Sequence, residues 1–197
     1  KTSGMDDMQV LSLAIHCNLP NIAKVLLERG ADVHAADRWG RTALHITASK
    51  GYPGLAQELV QRGADVNARN TKKSTPLMFA VNEDCDKTAN ILIDHNADID
   101  AQNEDGWTAL IYAAKNIHLD STRLLLARKA NCEIEDNNGC TAHDHITAGR
   151  QPPEAAVIKF LLEESSLARI KEKFEAAAAA GTPQKRTIRR RPPTPGA

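Results

Sequence analysis

The chain has 197 residues, of which 42% are hydrophobic and 25% charged, proportions that suit one globular domain with short appendages. Aromatics make up only 4%, so any core rests on Leu, Ile, Val and Ala. Lys plus Arg and Asp plus Glu number 25 each, and this zero net charge lacks the basic excess of a nucleic-acid binder. The balance is uneven along the chain: residues 185–191 read KRTIRRR, which leaves the remainder acidic. Cys17, Cys85, Cys132 and Cys140 are unevenly spaced in a chain long enough to build its own core, so they are expected as free thiols in a reducing compartment. No early apolar run suggests a leader, and no 18-residue apolar stretch suggests a membrane span. A cytoplasmic site is expected, with nuclear import open to the basic block.

Taken from its start, the sequence matches itself at a shift of 33 residues. Leu11 returns as Leu44, Leu77 and Leu110, and Leu26 as Leu59, Leu92 and Leu125. Thr42 returns as Thr75, Thr108 and Thr141, and Gly40 skips Lys73 to return as Gly106 and Gly139. Five units result, at about 4–36, 37–69, 70–102, 103–135 and 136–168, within a repeat domain spanning 8–165. Residues 1–7 form an N-terminal extension, and Met5 and Met8 are expected to pack over the first unit.

The second unit shows the local logic. Thr42 can cap a short helix whose Leu44 and Ala48 lie one turn apart, and Gly51 can end it. Leu55, Leu59 and Val60 then form the apolar stripe of a second helix, which Gly63 ends. Residues 64–75 are expected to project as a hairpin. A single helix pair cannot bury its own apolar face, so such units must stack. In the fifth unit, Gln151, Pro152 and Pro153 lengthen the inter-helix turn, and a second helix resumes over 153–162. Ser166 is expected to cap a further helix over 166–180, with Leu167, Ile170 and Phe174 closing the end of the stack. Residues 181–197 are basic and proline-rich, cannot form a core, and are expected to be flexible.

The segments GRTALHITASKG, STPLMFAV and GWTALIYAA resemble the Gly-x-Thr-Pro-Leu-His-x-Ala-Ala run of the ankyrin repeat family. LLERGADVHA, LVQRGADVNA and LIDHNADIDA resemble its Leu-Leu-x-x-Gly-Ala-Asp-Val-Asn-Ala run. The resemblance covers roughly residues 8–163. It implies an all-α solenoid of helix–turn–helix units with projecting β-hairpin turns, here followed by a C-terminal capping helix and a flexible tail. It also implies a binding module or scaffold that takes a protein or extended peptide on its hairpin fingers and inner-helix palm, with no cofactor. His45 matches the family's structural histidine, which bonds backbone near the next hairpin. Asn67 resembles the hairpin asparagines that asparaginyl hydroxylases modify, although an ordinary hairpin asparagine is the preferred reading.

The columns displayed on fingers and palm hold both tryptophans, a tyrosine and a phenylalanine, types that dominate interface energetics. Trp39, Arg41, Phe79, Trp107 and Tyr112 are the expected anchors. Glu83 and Asp105 belong to an acidic surround with Asp84, Asp86 and Glu104, suited to an apolar and basic peptide. Padding between neighbouring fingers is the competing role for the tryptophans. Cys140, His143 and His145 form a Cys-x-x-His-x-His group, whose alternative reading is a metal or redox site, although the repeat register accounts for each without metal. No nucleophile elbow, phosphate loop or dinucleotide fingerprint is present, so an enzyme is not expected. In the tail, Arg189, Arg190, Arg191 and Thr194 combine an import-like basic block, an Arg-x-x-Pro-x-x-Pro pattern and a proline-directed phosphorylation site. Attraction of this tail to the acidic groove, within one chain or between two, would give self-association and competition with a partner.

Overall fold

The computed structural model describes residues 7–146 and 152–180, with side chains over 10–146 and 152–176. Four helix pairs follow one another: α1 (Asp7–His16) with α2 (Pro20–Glu28), α3 (Ala43–Lys50) with α4 (Pro53–Gln61), α5 (Pro76–Asn82) with α6 (Asp86–Asp94), and α7 (Ala109–Asn116) with α8 (Leu119–Ala127). Helices of 7–10 residues are too short to persist alone in water, so their stability must come from packing. The inner helices α1, α3, α5 and α7 stack in one row, and α4, α6 and α8 in a second. Leu11, Leu44, Leu77 and Leu110 are buried between units of the first row, as are Leu59, Leu92 and Leu125 in the second. This is an all-α solenoid, with the columns found at the 33-residue shift as its spine.

Capping is written into the same columns. Thr75 Oγ1 accepts from the Met78 N–H at 3.4 Å, and Thr108 Oγ1 accepts from Ile111 at 3.3 Å. In the second unit the cap is reinforced by His45, whose Nδ1 accepts from the Thr42 N–H at 3.1 Å. Its Nε2 lies 3.1 Å from the Ser74 carbonyl, so it must carry the proton and donate to the next finger. The expected structural histidine is therefore found. Burial pushes His45 below the usual histidine range, and the Ser74 carbonyl opposes that shift.

Three expectations are corrected. Among the described residues the fingers contain no β-hairpin; the one bridge joins Ala36 and Thr42. Each turn closes over a pair of short-range backbone bonds instead of a ladder, such as Asn70 N–H to Ser74 C=O at 3.1 Å and Lys73 N–H to Asn70 C=O at 2.8 Å. Second, no helix begins at Ser166: α9 runs unbroken from Pro153 to Ala180, because Ser165 and Ser166 sit in a helix-forming sequence without a breaker. Third, Leu167, Ile170 and Phe174 do not close the stack; they are 65%, 42% and 71% exposed. The opposite side of α9 does so instead. Ala155, Ile158 and Leu162 are buried, Arg169 donates to the Lys129 carbonyl, and Lys173 meets Glu133 at 2.8 Å. Met5 and the tail residues Arg189, Arg190, Arg191 and Thr194 lie outside the described residues, as does the side chain of Met8.

The fingers touch along their backbones. The N–H of Thr71 donates to the Trp39 carbonyl at 2.9 Å, Glu104 to Lys72 at 2.9 Å, and Asn137 to Asp105 at 3.1 Å. At Gly106 a Cβ would stand 2.7 Å from the Asn137 amide nitrogen, whereas at Gly139 it would meet nothing nearer than 3.9 Å. Both glycines have positive φ, so alanine at either costs about 1–2 kcal/mol in backbone strain. Gly106→Ala adds a backbone clash worth about 1–3 kcal/mol more, so its melting temperature should fall several degrees further than that of Gly139→Ala. Lys73 occupies the same left-handed position with φ 58°, and Lys73→Gly should raise the melting temperature. The Thr88 hydroxyl is buried without a partner among the described residues, so Thr88→Val should be neutral or stabilising by about 1–3 kcal/mol. Thermal unfolding of the four variants checks all of these.

Candidate interaction surface

Each finger is closed by one short polar side chain. Asp37 Oδ1 accepts from the backbone N–H groups of Trp39 and Arg41, both at 2.9 Å. Asn70 Oδ1 accepts from Lys72 and Ser74, Asn103 Oδ1 from Asp105 and Trp107, and Asp136 Oδ1 from Asn138 and Cys140. These four residues are 33 apart, a column the sequence reading did not single out although its spacing was visible. An Asp or Asn side chain is short enough to bond the backbone two and four residues ahead, so it fixes a turn that has no strand to hold it.

The brace fixes where the expected anchors sit. Trp39 is 46% exposed at the second unit's finger, its ring stacked by the Arg38 guanidinium at 3.9 Å and that of Arg41 at 4.6 Å. Arg41 is itself held to Asp37, with Nη2 and Oδ2 2.8 Å apart. Burial works against the Asp37 charge, but hydrogen bonds from Arg41 and Trp39 outweigh it and hold the carboxyl below the usual range. Phe79 and Tyr112 are half-buried and line a groove of about 200 Å³ with Asn70, Lys72, Ser74, Met78 and Asn82. Ile46, in the same palm column, is buried and displays little.

Trp107 is committed to its own protein. Its Nε1 donates to Asp136 Oδ2 at 3.2 Å, Tyr112 and His145 meet its ring edge-on, and Lys115 Nζ lies 4.2 Å from its ring. The expected padding role is thus visible at Trp107, while Trp39 is the more open of the two. Glu83 follows α5, where it accepts from Asn82 at 2.9 Å, and Asp105 occupies a finger tip. Partial burial pushes the Cys85 thiol up, and Glu83, Asp84 and Asp86 push it the same way, so it is a poor nucleophile. Asn67 bridges two units, donating to the Asn96 carbonyl at 3.2 Å and accepting from Asp98 at 2.7 Å.

The Cys-x-x-His-x-His group is drawn apart rather than together. His145 Nε2 lies 2.8 Å from Asp136 Oδ2, while His143 turns toward Glu163, 3.4 Å away. Among the described residues, no three His, Cys, Asp or Glu side chains converge as metal ligands. None of the helices described there is long and apolar enough to cross a membrane.

The family model for ankyrin repeats, in 3 copies, matches residues 11–103 and 77–173, and so most of the chain. No curated protein matches the chain.

Asp136 is the most loaded of the braces. The Cys140 N–H is the largest influence lowering its pKa; burial opposes, and the bonds from Asn138 and His145 help hold it down to about 2. A carboxyl depressed on folding lends stability above its unfolded value near 3.8, and loses it as pH falls through about 2. Thermal stability should therefore drop between about pH 4 and pH 2, and Asp136→Asn should flatten that slope. Asparagine already serves as the brace at positions 70 and 103, so Asp136→Asn should cost less at neutral pH than Asp136→Ala. Melting curves across this pH range check both.

Proposed function

We propose that this chain, which belongs to the ankyrin repeat family, holds an extended, apolar and basic segment of a partner protein along its finger-and-palm side. A general protein-interaction or scaffold role is what arrays of this family perform. The observation that carries the finer reading is the groove lined by Phe79 and Tyr112 beside the braced third finger, with Trp39 half-exposed on the finger before it. Aromatic side chains on a rigid frame lose little entropy on binding, which makes them efficient anchors. Glu83 and Asp105 supply negative charge beside the groove, and Arg41 keeps Trp39 in place. Trp107 and Tyr112 share an edge-on contact, so Trp107 acts through the shape of the palm as well as through any contact of its own.

Purified protein bearing a photo-crosslinker at position 72 identifies the partner segment, and titration then gives its affinity. Trp39→Ala with Phe79→Ala should weaken that segment at least ten-fold, with the helical circular dichroism unchanged. Undiminished binding by this double variant would place the site elsewhere. Trp107→Ala, by contrast, should lower the melting temperature, because it removes the ring from Tyr112, His145, Lys115 and Asp136 together.

A further inference from the structure

The outward side of α9 carries a stripe that the repeat array does not use. Phe160, Leu167 and Phe174 recur every seven residues and are 57%, 65% and 71% exposed, with Ile170 beside them at 42%. A seven-residue recurrence keeps side chains in line along a helix, as in two-stranded coiled coils. The other face of α9 joins the helix to the array, through Ile158 and Leu162 in the core and through Arg169 and Lys173, which meet Lys129 and Glu133 in the loop after α8. The stripe is therefore additional to what holds the helix in place.

Opposite charges flank the middle of the stripe, one on each side of Leu167. Glu164 lies three residues before Leu167, and Lys171 four residues after it. If a second copy lies antiparallel across a two-fold axis near Leu167, Phe160 of one faces Phe174 of the other. Leu167 then meets Leu167, and Glu164 comes within one residue of the level of Lys171 on the second copy, twice over. A parallel pairing sets Glu164 against Glu164 and Lys171 against Lys171, so charge selects the antiparallel one. Among the described residues Lys171 pairs only with Glu175, 4.0 Å away, and both are strongly exposed. Large apolar side chains exposed to this degree present roughly 500 Å² per chain, or roughly 1,000 Å² per pair, the lower end of specific interfaces. Patches of this size on a monomer are commonly functional.

We propose that the exposed Phe160–Leu167–Phe174 stripe of α9 is a self-association surface, pairing antiparallel with the same helix of a second copy of this chain. A C2 contact of this kind is closed, so assembly stops at the dimer. It also leaves the finger-and-palm side of each copy free, so a dimer holds two partner segments.

Sedimentation velocity of the full chain from about 1 to 200 μM tests this. A concentration-dependent shift from monomer to dimer is expected. Leu167→Ser with Phe174→Ser should raise the dimer dissociation constant at least ten-fold while leaving melting temperature and circular dichroism unchanged, since both side chains are exposed. Glu164→Lys and Lys171→Glu should each weaken the dimer several-fold, and the double reversal should restore it. A chain that stays monomeric throughout, or a dimer indifferent to the two serine changes, overturns the proposal. Charge reversals that have no effect, or a double reversal that fails to restore, overturn the antiparallel register. Removal of residues 181–197 is a control: if only the shortened chain dimerises, the tail rather than a second copy occupies the stripe, and the proposal falls.

Discussion

The structure depends on one local contact made four times: a carboxylate or amide oxygen accepting two backbone N–H groups at the base of a finger. Among the described residues the fingers have no strand ladder, so the turn between one unit's outer helix and the next unit's inner helix is set by this brace together with the short backbone bonds it encloses, such as Asn70 N–H to Ser74 C=O. With the turn fixed, the threonine that follows it is placed to cap its helix, and the finger carbonyl is placed to accept from the next finger. Helix packing then follows from the turn. Asp37, Asn70, Asn103 and Asp136 all serve because the acceptor is what matters, and the charge is an addition at the ends of the series.

How far the sequence announces this depends on the kind of signal. Leu44, Leu77 and Leu110 recur as one residue type, so a simple shift exposes them, and they are buried as the pattern requires. The brace alternates Asp with Asn and hides among many other polar residues. The hairpin expectation overstated the pairing, because each finger closes on itself through short-range backbone bonds and its side-chain brace, with a bridge at Ala36 and Thr42. Helix α9 shows another limit. Leu167, Ile170 and Phe174 reveal that an apolar face exists, but periodicity does not say what covers it. Arg169 and Lys173 carry no sequence signal of a role in the array, yet their charged heads bond to Lys129 and Glu133 in the loop after α8.

The tryptophans show the same limit at the candidate site. Both fall in displayed columns, and composition alone makes them equal. Trp39 has arginines for neighbours and stays open; Trp107 has a buried carboxylate, a tyrosine and a histidine within reach and is drawn inward. What separates them is the chemistry one repeat further on: Asp136 stands 29 residues beyond Trp107 and bonds its indole, a contact that no local pattern announces. The palm groove is similarly a product of adjacency, since Phe79 and Tyr112 come from different units and meet only in the stack.

The row of finger-to-finger bonds has a consequence for how the array breathes. Thr71, Glu104 and Asn137 each donate an amide proton across a boundary between units, at otherwise exposed loop tips. In a linear array, the strength of coupling between neighbours decides whether units open singly or together. These three protons sit at successive boundaries, so their solvent exchange rates report the coupling at each one separately. The loop tips, usually the fastest-exchanging part of a protein, become gauges of how cooperatively the chain holds together.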